Sequence, residues 1–143
     1  MVLQRSVAII AAAWLLRSKQ VDALNSLHLP DEQRMGHLPK LVEDLAFRLS
    51  LSASMIRENA QDSPSAAAHG EVRFLQGYTP AMLVQESRIL QVTIFETLQN
   101  NRDFLDFSLL LPDVMTIADE VDSQLTQSMN GFMKAMARRE DVN

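Results

Sequence analysis

Prolines at positions 30, 39, 64, 80 and 112 constrain this chain most, because each stands where a helix could begin and none interrupts a periodic stretch. Proline lacks an N–H and has a fixed φ, so the first helical turn is where it costs least. Ser63-Pro64 and Thr79-Pro80 add a capping hydroxyl directly before the ring. Leu38-Pro39-Lys40 and Leu111-Pro112-Asp113 have the proline without that cap. Pro30 is followed by Asp31 and Glu32, acids that suit a helix first turn. The spacing predicts five main helices, at about 2–20, 39–52, 64–77, 80–101 and 112–138, with a short turn at 31–36. Ser50 to Ser65 is small and polar apart from Met55-Ile56 and reads as a loop. No window alternates at period two with β-branched residues, so no strand is expected. The fold class is all-α: a single-domain helical bundle of about five helices over 1–143, with a long C-terminal helix.

Composition narrows the function classes. At 143 residues the chain is one domain with one sizeable core, and 47% hydrophobic against 22% charged residues is ordinary for a globular protein. A net charge of −5 gives no basic footprint for nucleic acid and no attraction to acidic lipid. The absence of cysteine excludes disulfides, thiolate catalysis and Cys-ligated zinc, and suits a cytoplasmic location. The longest apolar run, Val7 to Leu16, is about half of what a membrane span needs. It is followed by Arg17-Ser18-Lys19-Gln20 with no small-residue cleavage site, while Leu3, Val7, Ile10 and Trp14 repeat at helical period. A buried first helix is therefore expected, not a signal peptide. No phosphate-binding glycine loop, Glu-x-x-His or His-Glu-x-x-His occurs, so no catalytic residue, metal site or cofactor is expected. The histidines, at 28, 37 and 69, all lie in the first half, unlike the proximal ligand of a globin.

Two helices carry unequal apolar faces. On the last, Val114, Ala118, Val121, Leu125, Phe132 and Met136 form one narrow stripe. On the fourth, Leu83, Leu90, Ile94 and Leu98 form the main stripe, Val84 and Phe95 extend it, and Ile89 and Val92 lie round the back. A helix apolar on most sides is either central or packed on a second subunit. Ile89, Val92, Phe95, Leu125 and Phe132 are accordingly the candidate dimer or signal-transmission residues.

The densest run of chemically distinctive residues lies at 69–91. His69 and Arg73 stand one turn apart, Gln76 continues their row, and Gly77-Tyr78-Thr79 joins them to the next helix. Glu86 borders the Leu83/Leu90 stripe there. If the helices fold back as a hairpin, both polar rows face one crevice. Spacing leaves two readings open: solvated boundary residues, or a partly buried charge network.

In these residues, His69, Arg73, Gly77, Tyr78, Leu83, Glu86, Arg88 and Leu90, the chain resembles the RsbRD-type N-terminal (RsbT co-antagonist-like) domain. Trp14, Leu-Pro-Lys-Leu-Val at 38–42 and the Leu-rich fourth helix extend the resemblance over most of the chain. Ser87 and Gln91 depart from the family's pattern, where an aromatic and a basic residue are common. The resemblance implies a non-catalytic cytoplasmic input module of bacterial sensor histidine kinases and stress-response regulators. The chain would then be the N-terminal part of a longer homodimeric sensor, upstream of a kinase or other output domain. It also marks His69, Arg73, Gln76, Tyr78 and Glu86 as a ligand or switch crevice. Two alternatives stay open: a stand-alone regulator that binds a partner helix, and a bundle that binds an unknown small ligand. A cavity lined by His69, Arg73 and Glu86 would favour the second, and a flat apolar face on the fourth helix the first.

Overall fold

The computed structural model describes residues 2–50, 63–104 and 107–142. They form α1 (Val2–Arg5), α2 (Val7–Ser18), α3 (Asp22–Asn25), α4 (Asp31–Met35), α5 (Leu38–Ser50), α6 (Pro64–Leu75), α7 (Pro80–Asn100), a 3₁₀ turn (Arg102–Phe104) and α8 (Phe107–Val142). No strand occurs among the described residues. The expected loop at 50–65 falls mostly outside them.

Helix starts follow local chemistry. Ser63 Oγ accepts from Ala66 N at 3.1 Å, and Thr79 Oγ1 accepts from Met82 N at 3.2 Å, each with proline at the first position. Two boundaries differ from expectation. The first helix is not continuous over 2–20: Ser6 leaves helical geometry, its N–H bonding Leu3 O at 3.1 Å in a tighter turn before α2 begins. The last helix does not start at Pro112 but at Phe107, and takes the proline inside it. The ring's fixed φ is helical, and the Leu109–Leu111 run favours helix, so losing one N–H bond does not stop it.

Two apolar clusters make the core. Trp14 and Ile10 of α2, Val42 and Leu45 of α5, Leu90 and Ile94 of α7, and Ile117 and Val121 of α8 fill the first. Leu24, Tyr78, Met82, Leu83 and Phe132 fill the second, where Phe74 meets Phe132 edge to face at 5.2 Å. Burying each large side chain contributes on the order of 1.5–3 kcal/mol. The buried side of α8 is not quite the expected stripe. It runs Ile117, Val121, Gln124, Ser128, Phe132 and Ala135, leaving Val114, Ala118, Leu125 and Met136 at its edges. Gln124 Nε2 donates to Leu41 O at 2.9 Å and Ser128 Oγ to Ala66 O at 2.9 Å, so these polar groups are satisfied across helices.

The tightest packing in the bundle joins α6 to α8. A Cβ at Gly70 would lie 1.7 Å from Ser128 O, and one at Gly131 would lie 2.1 Å from Ala67 O. Each helix therefore offers a bare backbone where the other approaches most closely. Beyond this seam α8 continues as residues 137–142, exposed throughout.

Candidate functional site: a sealed histidine–arginine–glutamate network

Local folding brings the site together. α6 ends in a Schellman turn: Gly77, with φ 94, donates to Phe74 O, and Tyr78 N donates to Arg73 O at 3.0 Å. Thr79 then starts α7, which folds back along α6, and Glu86, about two turns in, faces His69 and Arg73. Trp14 Nε1 donates to Glu86 O at 3.1 Å, fixing α2 to the same turn.

The site is buried, not an open crevice. Arg73 is 0% exposed, His69 4% and Glu86 5%. His69 Nε2 lies 2.6 Å from Glu86 Oε1, and Arg73 Nε donates to the same oxygen at 3.4 Å. Arg73 Nη2 is 3.2 Å from Oε2, an ion pair without hydrogen-bond alignment. Burial alone would push the Glu86 carboxyl up. The charge and hydrogen bond of His69, then those of Arg73, outweigh it and hold the group below its ordinary 4.5.

Arg73 also ties down the end of α4. Its Nη1 donates to Gln33 O at 3.0 Å and to Gln76 Oε1 at 2.8 Å, and its Nη2 donates to Arg34 O. Gln76 Nε2 reinforces this, donating to Gln33 O at 3.2 Å. A cation against the last carbonyls of a helix is favourable on dipole grounds as well. The guanidinium carbon sits 4.5 Å from the centre of the Tyr78 ring. The Tyr78 hydroxyl is buried without a hydrogen-bond partner, and that burial, with the nearby Glu86 charge, raises its pKa.

The structure thus places all five of His69, Arg73, Gln76, Tyr78 and Glu86 together, and adds three that the sequence reading passed over. His37 stands edge to face with His69, ring centres 5.9 Å apart. Partial burial, then the charges of His69 and Arg73, lower its pKa from 6.5. Arg34 is buried and donates to Leu24 O at 2.9 Å and Leu27 O at 2.8 Å, so the α3–α4 corner is wound around it. Gly36, with φ 53, has Arg73 3.7 Å from where a Cβ would stand. The available signal was a second histidine, His37, following a basic residue and a glycine at a short helix end.

A cavity of ≈30 Å³ adjoins the network, lined by His69, Glu86, Gln124, Ser128 and core leucines, but not by Arg73. That is room for about one water molecule, far from the several hundred Å³ of an ordinary ligand pocket. The buried Nδ1 atoms of His69 and His37 also have no hydrogen-bond partner. Among the described residues, no group of three or more His, Asp or Glu side chains could hold a metal ion, and no helix is long and apolar enough to cross a membrane.

The other five candidates divide. Val92 is 51% exposed on the back of α7, while Ile89 and Phe95 are half-buried beside it. Leu125 and Phe132 were expected on a dimer or transmission surface, but α8 turns them into the chain's own second cluster. Phe132 is thereby closed to a second subunit, while Leu125 stays half-buried at the edge of that cluster. Comparison with protein-family models, with curated proteins and with solved structures gives no match to this chain.

Proposed function

We propose that the chain is a non-catalytic sensory or regulatory input module of a bacterial signal-transduction protein, a sensor histidine kinase, working as a homodimer in the cytoplasm with its last helix as the output rod. One observation carries this reading. The helix that bears His69 and Arg73 is seated backbone to backbone on α8 at Gly70 and Gly131, so a shift of that helix would press directly on the rod. Packed helices of this kind move by discrete slides or rotations, not by gradual bending. The exposed last turns of α8 suit continuation into an attached domain. The resemblance in residues 69–91 supports the same reading. The narrow cavity beside the network disfavours a ligand of ordinary size at that place in this conformation.

The test is a fusion of residues 1–139 to a histidine-kinase catalytic core, with one to four residues inserted at the junction. Each added residue turns the downstream helix by about 100°. Autophosphorylation should rise and fall with helical phase; activity indifferent to phase would overturn a rigid output rod.

A further inference from the structure

The outer face of α7 carries a pattern that reads alike from both ends. Arg88 lies four residues before Val92 and Glu96 four after; Ile89 lies three before and Phe95 three after. At about 100° per residue these five fall within about 60° of the direction of Val92. That direction is opposite the side that buries Leu83, Leu90 and Ile94. Arg88, Ile89, Val92 and Glu96, with Gln85, form one wall of an open cleft of ≈550 Å³, and the other wall comes from Arg17, Gln20 and Val21. Val92, at the centre, is 51% exposed. Arg88 is exposed and has no ion-pair partner among the described residues. The Glu96 side chain stays 50% exposed although Arg17 holds one of its oxygens.

An apolar centre with a free cation at one end and a half-exposed anion at the other is complementary to itself when reversed. We infer that two copies of the chain pair antiparallel through α7, with the two-fold axis at Val92 and Arg88 of each copy against Glu96 of the other. Residues 88, 92 and 96 form one ridge of four-residue spacing. Two such ridges run side by side when helices cross at about 50°, which sets Arg88 beside Glu96. A parallel pairing would put Arg88 against Arg88 and Glu96 against Glu96, repulsive at both ends. The inference rests on the homodimer proposed above and fixes its contact.

Charge exchange tests it in the full chain. Light scattering and sedimentation of the wild type should give about twice 16.1 kDa at micromolar concentration. Arg88→Glu creates two repulsive contacts per dimer and should weaken association on the order of 100-fold. Adding Glu96→Arg to the same chain restores complementarity only in the antiparallel arrangement, so the double variant should dimerise again. The chain has no cysteine, so Val92→Cys supplies a single thiol that should cross-link the dimer on oxidation, whereas Met133→Cys on exposed α8 should not. A wild-type dimer that Arg88→Glu leaves intact, with no cross-link in the Val92→Cys variant, would overturn this contact while sparing the dimer. A monomeric wild type would overturn both, and would leave the face to a different protein.

Discussion

At the scale of single residues, Glu86 decides the behaviour of the site. An ionised carboxylate in a buried position is tolerable only because a histidine and an arginine face it, and the arginine in turn is tolerable because three backbone or side-chain oxygens take its remaining donors. His37 is held next to this cluster with its pKa below 6.5. Its native form therefore binds fewer protons than the unfolded chain between the two pKa values. By linkage its contribution to stability is fully present above about pH 6.5 and is lost as pH falls through the lower, folded value. Melting curves between pH 7.5 and 5.5 should show stability decreasing with acid, less steeply in His37→Gln. Equal slopes in both proteins would remove His37 from the acid response. The three residues were visible in the sequence as candidates, since His69 and Arg73 sit one turn apart beside an apolar row and Glu86 borders another, but spacing left open whether they were solvated or buried together. His37, Arg34 and the Gln33 and Arg34 carbonyls were not. Arg73 reaches across 40 residues to main-chain oxygens, which every residue type supplies equally.

At the scale of elements, glycine shows why propensity alone misleads. In an exposed helix Gly131 would cost about 1 kcal/mol relative to alanine, and on sequence grounds it interrupts α8. In the fold it is where Ala67 O rests, as Gly70 is where Ser128 O rests. Gly70→Ala and Gly131→Ala should each destabilise the protein by about 3 kcal/mol or more, because the propensity gain is outweighed by prising two backbones apart. Chemical denaturation measures this, and a stabilising alanine at either position would refute the seam. Helix starts capped by Ser63 and Thr79 were readable because cap and proline act within three residues. Pro112 was misread for the converse reason: a proline inside a helix costs about 3 kcal/mol through its lost N–H bond and its ring's crowding of the preceding turn, so local chemistry favours a start there, whereas the helix runs on from Phe107. Gln124 and Ser128 fall outside the apolar stripe read from the sequence, since nothing local to them indicates the Leu41 and Ala66 carbonyls they bind.

At the scale of the whole molecule, the two core clusters meet along α7 and α8, and the network sits where α2, α4, α6 and α7 converge. On the function proposed above, this network and the α8 rod move as one mechanical unit joined through the α6 seam. Glu86→Gln tests it most directly, because the amide keeps the carboxylate's shape while removing the charge that holds His69 and Arg73. Amide hydrogen exchange, resolved by peptide, reads the result. Exchange should be faster in the variant for α4, for α6 and for residues 117–135 of α8 together. Faster exchange confined to α4 and the start of α7, with α8 protected as in the wild type, would contradict it.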